Sequence, residues 1–258
     1  MAHSLSPLMM TGAFCQMEIR GHYRAIRVPR AIDIVRSMRS MNIEGASITI
    51  PHKVAVVEFL DEISESARRI GAVNTVTSRF GMLKGDNTDW IGAERALSKV
   101  MRIAGKRFAV LGAGGAARAV VYCIIINGGT AVLLNRTEER GEKLAREMEC
   151  EFVPLREIGT VEAECLINTT PVGMWPDIDA SPVKRSVLSR YTGVMDTIYN
   201  PLQTTLMADA AMAGCVTISG LPMFVHQGAE QIRLWTGKEP PVDSMMRIVR
   251  EHLTHERN

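Results

Sequence analysis

Phe108-Ala109-Val110-Leu111-Gly112-Ala113-Gly114-Gly115-Ala116-Ala117-Arg118 is the stretch that decides the fold. A short apolar run, Phe108 to Leu111, breaks abruptly into glycines, and the glycines open a long apolar helix. The spacing of Gly112, Gly114 and Ala117 fits the dinucleotide fingerprint G-x-G-x-x-G/A, in the strand–turn–helix setting that the fingerprint requires. Gly112 permits the tight turn, Gly114 has no Cβ to block a pyrophosphate, and Ala117 is small enough for the helix to pack close on the strand. Ala113, Gly115 and Ala116 complete a loop whose helix N-terminus offers N–H groups and a positive dipole end to phosphate.

The partner signal is expected about twenty residues downstream, where an NAD site places an acid on the ribose 2′-hydroxyl. Here Thr130 to Leu134 reads as a strand ending in Asn135-Arg136-Thr137, with Arg140 one turn later and no acid before Glu138. Guanidinium groups suit a 2′-phosphate through charge-assisted, often bidentate hydrogen bonds. The cofactor is therefore read as NADP. The same arginines also fit a solvated helix start.

The composition frames that reading. The 258 residues suffice for one large or two ordinary domains with a substantial core. A net charge of +2 without a basic cluster gives no reason to expect nucleic-acid or membrane partners. The five cysteines are scattered, with no C-x-x-C pair, which disfavours a disulfide framework or zinc knuckle and favours a reducing, cytoplasmic setting. The longest apolar run, Ala119 to Ile126, is too short to span a bilayer, and no signal peptide is read at the start. His252 and His255 lack a third ligand in the pattern, so no metal is expected.

Taken in order, Ser6 reads as the N-cap of a first helix with Pro7 at its first position. His22 to Val28 alternates like a strand, and Ala31 to Met41 carries a helical pattern. Gly45 to Ile50 reads as a strand halted by Pro51-His52-Lys53. A helix from Ser64 to Ile70 and a strand from Ala72 to Thr77 follow, then a turn near Gly81 and Lys84-Gly85-Asp86-Asn87-Thr88-Asp89. Ile91 to Met101 reads as a helix leading into the fingerprint. Beyond it come a charged helix, Glu138 to Met148, and strands at Cys165 to Asn168, Val194 to Ile198 and Cys215 to Ile218. A helix at Thr205 to Ala213 and two C-terminal helices, Phe224 to Trp235 and Asp243 to Leu253, complete the pattern. The alternation implies an α/β protein of two domains.

These residues resemble the shikimate dehydrogenases along nearly the whole chain. The resemblance rests on Ser4-Leu5-Ser6-Pro7, Gly45 to Lys53, Gly71-Ala72-Val73-Asn74-Thr75, Gly85 to Asp89 and the glycine loop. It continues through Asn135-Arg136-Thr137, Asn168 to Met174, Gly220-Leu221-Pro222-Met223 and Gln227. It implies a substrate-binding domain, 1–89 plus 220–258, and a Rossmann-type NADP domain, 90–219, with the C-terminal helices packed back on the first. It also implies an oxidoreductase that reduces 3-dehydroshikimate to shikimate with NADPH, toward chorismate and the aromatic amino acids. A monomer or homodimer is expected.

By local sequence alone Lys53 is a solvated loop lysine and Asp89 a helix N-cap. The resemblance makes them the catalytic pair, Lys53 as acid/base and Asp89 orienting it. Ser4 and Ser6 match hydroxyls that hold the substrate carboxylate, and Thr49, Asn74, Tyr199 and Gln227 match further substrate contacts. Thr169, Gly220 and Met223 match cofactor contacts, although Met223 also reads locally as core filler. Two departures stand out. Ser47 occupies a position where members commonly have Asn. The strand that members carry ahead of Ser4 has no counterpart, and the first sheet is expected to lack it. A quinate-active relative and a catalytically impaired NADP-binding homologue are the alternatives.

Overall fold

The computed structural model describes residues 4–255. Backbone contacts divide the chain into two compact units, Met1–Asp89 with Val225–Asn258, and Trp90–Phe224.

The first unit contains α1 (Ser6–Gln16), α2 (Ala31–Ser40), β1 (Gly45–Ser47), β2 (Glu62–Ile63), α3 (Glu65–Ile70), β3 (Thr75–Arg79) and β4 (Met82–Asp86). Its sheet runs β1-β3-β4-β2. The β1–β3 and β3–β4 pairs are antiparallel, and β2 lies parallel to β4. Apolar residues of α2 at helical spacing (Ile34, Val35, Met38) meet Val73, Val76 and Leu83 of the sheet region in one buried cluster. Ser64 caps α3, its hydroxyl accepting the Ala67 N–H at 3.2 Å.

Several local expectations change. The first helix begins at Ser6 itself, with Leu5 as N-cap and no side-chain cap bond. Ser4 Oγ instead accepts the Ser6 N–H at 3.4 Å. His22 to Val28 is not a strand. Alternation supplies a face but not a ladder, and this segment pairs with no strand among the described residues. The β4 strand, read from sequence as turn and loop, forms because the Phe80-Gly81 turn folds it back on β3 in register, Thr75 opposite Asp86.

The second unit opens with α4 (Asp89–Ser98), whose first residue belongs to the first unit, and continues with β5 (Arg107–Leu111), α5 (Gly115–Ile126), β6 (Thr130–Asn135), α6 (Glu138–Glu147) and β7 (Glu151–Pro154). There follow β8 (Cys165–Asn168), β9 (Gly193–Asp196), α7 (Thr205–Met212), β10 (Val216–Ile218) and the start of α8 (Gly220–Thr236). The sheet is parallel throughout, in the order β10-β9-β8-β5-β6-β7. Val132, Leu134, Leu166 and Val194 are fully or almost fully buried, as strands covered on both faces require. From β5 the chain runs outward through β6 and β7, then returns to the other side of β5 at β8. The topological switch point lies between β5 and β8, where open α/β sheets bind ligands.

The last helix, α9 (Val242–His255), packs on α1 within the first unit. No described helix is long and apolar enough to cross a membrane. No group of three or more His, Cys, Asp or Glu side chains among the described residues could hold a metal ion.

Candidate active site

In the first unit, one buried cluster gathers residues from four parts of the sequence. Lys53 Nζ donates to Asp89 Oδ2 at 2.5 Å, with the lysine side chain 16% and the aspartate 7% exposed. The other carboxylate oxygen of Asp89 accepts from Asn74 Nδ2 at 2.8 Å, and the same nitrogen reaches Gln227 Oε1 at 3.3 Å. Four expected site residues, Lys53, Asp89, Asn74 and Gln227, therefore form one connected group. The β3–β4 hairpin brings them together: Asn74 precedes β3, and Asn87 to Asp89 follow β4.

The orientation of Asn74 is fixed by its acceptor side. Its Oδ1 accepts the Thr88 N–H and the Thr75 hydroxyl, each at 2.7 Å. Thr75 and Thr88 were not singled out from the sequence, although both lie in the stretches that carried the resemblance. Asn87 Oδ1 accepts the Asp89 N–H at 3.0 Å, and Asn87 Nδ2 donates to the Ala72 carbonyl at 2.9 Å. The Lys53–Asp89 pair thus sits in a network whose members hold one another, which a desolvated ion pair needs in order to persist.

A second network runs toward the start of α1. Tyr23 lies near Ser6 and Ser47, and burial pushes its pKa above the ordinary tyrosine value while those hydroxyls oppose the shift. Ser47 Oγ donates to Gln231 Oε1 at 2.6 Å, and Gln231 Nε2 donates to the Asn74 carbonyl and to Thr75 Oγ1. Ser47 is thereby joined to the Asn74 region through Gln231, and sequence reasoning identified neither Gln231 nor Tyr23. No acidic residue occupies the first turn of α1. Thr49 is exposed, and its carbonyl accepts the His52 N–H at 2.9 Å.

In the second unit, the glycine loop sits at the switch point. Gly112 has φ +111°, a backbone region closed to most side chains, and a Cβ there would lie 2.7 Å from Thr169 Oγ1. At Gly114 a Cβ would meet nothing within 4 Å, so open space lies in front of the loop where a pyrophosphate would approach. Gly114 is the N-cap of α5, followed by Gly115 and Ala116, and Ala117 is fully buried against the sheet. Thr169, from the neighbouring strand end, donates its N–H and its hydroxyl to the Leu111 carbonyl. At the end of β6, Asn135 Nδ2 donates to the Thr137 carbonyl at 2.7 Å, which shapes the turn into α6. Arg136 and Arg140 are exposed there, and neither is paired with an acid among the described residues. The donor set fits a phosphorylated dinucleotide: a loop without Cβ obstruction, a helix N-terminus and two available guanidinium groups.

Tyr199 and Met223 also fall in this unit. The Tyr199 ring stacks on Phe224 with centroids 4.0 Å apart and planes 19° apart, and Met223 is buried. Gly220 lies against the Thr197 and Ile198 carbonyls, closer than any Cβ would allow.

Comparison with known proteins points in one direction. Residues 1–76 match the family model described as shikimate dehydrogenase substrate binding domain, residues 94–173 that of shikimate / quinate 5-dehydrogenase, and residues 220–250 the shikimate 5'-dehydrogenase C-terminal domain. The shikimate dehydrogenase (NADP(+)) of Shouchella clausii is 41% identical, across 98% of this chain and 96% of that one. The Thermus thermophilus shikimate 5-dehydrogenase, solved with NADP(H) and shikimate, superposes with a TM-score of 0.88 at 36% identity, covering 97% of this chain and 95% of that one. The 5-ketofructose reductase of a Gluconobacter strain also superposes, with a TM-score of 0.83 at 32% identity over 97% and 95% of the two chains. With relatives this similar over nearly its full length, the chain belongs to the shikimate dehydrogenase family.

Proposed function

We propose that this protein is an NADP-dependent oxidoreductase that interconverts 3-dehydroshikimate and shikimate, with Lys53 as the acid/base. The single observation that carries the residue assignment is the buried Lys53–Asp89 pair, held by Asn74, which also reaches Gln227. A bound reduced nicotinamide would supply a hydride to the carbonyl carbon, whose oxygen then needs a proton. Lys53 has an N–H directed at Asp89 and two more with which to polarise the carbonyl and deliver that proton. In the oxidation direction the hydroxyl proton passes to Lys53, and Asp89 stabilises the ammonium that results. Asn74 and Gln227 already sit beside the pair and suit ring hydroxyls, since an unpaired buried donor or acceptor costs about 1–3 kcal/mol. Ser4 and Ser6, at the start of a helix without acidic first-turn residues, suit the substrate carboxylate.

Ala113 and the rest of the glycine loop suit the pyrophosphate of the cofactor, and Asn135, Arg136, Thr137 and Arg140 suit its phosphorylated ribose. Thr169, Gly220 and Met223 line the same sheet end and suit the remainder. Five unpaired cysteines accord with a reducing compartment.

The test is reduced-nicotinamide absorbance with shikimate or quinate and with NADP or NAD. We expect the highest kcat/KM with shikimate and NADP. A preference for quinate would overturn the substrate, and tight NADP binding without turnover would mark an impaired homologue.

A further inference from the structure

Asp196, the last residue of β9, is wholly buried and takes no part in the chemistry above. Its carboxylate is a junction. One oxygen, Oδ1, accepts from Asn168 Nδ2 and from the Ile198 N–H, each at 3.1 Å. The other, Oδ2, accepts from the Thr204 hydroxyl at 2.7 Å.

Each of those donors holds a further segment. Asn168 ends β8, and its Oδ1 accepts the Thr170 N–H at 3.0 Å and the Thr170 hydroxyl at 2.7 Å. Its Nδ2 also reaches the Val172 carbonyl at 3.4 Å. Ile198 precedes Tyr199, and its carbonyl with that of Thr197 is where Gly220 packs. Thr204 caps α7, accepting the Met207 N–H at 3.3 Å. One side chain therefore ties the Thr169–Thr170 loop to the Thr197–Tyr199 loop, and through it to the start of α8.

The charge is not required to fill this space. Asparagine has the same shape, and its amide could donate to Thr204 Oγ1 if that hydroxyl turned around. Burial pushes the Asp196 carboxyl up to about 6, against the pull of its three hydrogen bonds, and no charged side chain is among the groups that act on it. A carboxylate kept where it costs stability gains one thing, the stronger bonds of an ionised acceptor.

We propose that Asp196 is a positioning residue for the cofactor, its carboxylate holding the loops after β8 and β9 in the register that NADP(H) binding needs. The proposal rests on the cofactor reading above.

The experiment measures NADPH dissociation constants at pH 8 for the full chain and for Asp196→Asn, Thr204→Val and Thr204→Ser, together with thermal midpoints. We expect Asp196→Asn to weaken NADPH about fivefold or more while its thermal midpoint equals or exceeds that of the wild type. Thr204→Val should weaken NADPH and Thr204→Ser should restore it. An Asp196→Asn dissociation constant within about twofold of wild type overturns the proposal, since that is below the strength of one such bond. So does a loss of affinity accompanied by an equally clear fall in the midpoint, because that is a structural role alone. If the wild-type chain itself fails to bind NADPH, the cofactor reading falls and the proposal with it.

Discussion

Asn74 donates to the one carboxylate oxygen of Asp89 that Lys53 does not use, at 2.8 Å. The two residues are fifteen apart in sequence, and the hairpin of β3 and β4 makes them neighbours. Asp89 therefore has one oxygen held by Asn74 and one for Lys53. Asn74→Ala would leave the Thr88 N–H, the Thr75 hydroxyl and one Asp89 oxygen short of a partner. Stability should fall by about 1–3 kcal/mol, and kcat by about tenfold or more as Asp89 loses its fixed rotamer. Denaturant unfolding and saturating kinetics measure the two effects. An unchanged kcat would mean that Lys53 alone orients Asp89.

Lys53→Ala should lower kcat on the order of 10²–10⁴-fold with NADPH affinity kept, the span that a positioned general acid contributes. Equal losses in cofactor binding and kcat would make Lys53 a structural residue. Single-turnover measurement with pre-bound cofactor separates the two.

Replacing Arg136 and Arg140 together by alanine should raise KM for NADP at least about tenfold and leave KM for NAD nearly unchanged, from two charge-assisted bonds of about 1.5–3 kcal/mol each. The ratio of the two KM values is the measurement. A ratio that does not move places the 2′-phosphate elsewhere.

Asp196 gives a pH-dependent signature in stability. Burial raises its folded-state pKa from the ordinary aspartate value of 3.8 to about 6. The protonated form is thus the one favoured by folding. Its contribution is fully present below about pH 4 and is lost as pH rises through about 6. The span is on the order of 3 kcal/mol, about two pKa units at about 1.36 kcal/mol each. The difference in unfolding free energy between Asp196→Asn and wild type should shift by about that amount in favour of the variant between pH 4 and pH 8. A pH-independent difference would show that Asp196 titrates normally.

The fold was legible wherever one local signal sufficed. The glycine loop, the buried strand at Cys165–Asn168 and the amphipathic helices need only the spacing of their own residues, and they stand where that spacing puts them. Elements that depend on a distant partner were not legible. His22 to Val28 has strand alternation and no ladder, whereas Met82–Asp86 has an unremarkable sequence and becomes a strand because a turn folds it onto β3. The site divides in the same way. Lys53 and Asp89 came from resemblance, because alone each is an ordinary polar residue near a loop. Gln231 and Asp196 carried no signal at all, since each matters through hydrogen bonds that join separate segments.

Gln231 also gives direction to the hydroxyls beyond it. The Asn74 carbonyl can only accept, so Gln231 must present its amide nitrogen there and its oxygen to Ser47. Ser47 has then committed its single proton, so its hydroxyl remains open only as an acceptor. A group that reaches Ser47 must bring a proton of its own, and the amide of Gln231 is what sets that requirement.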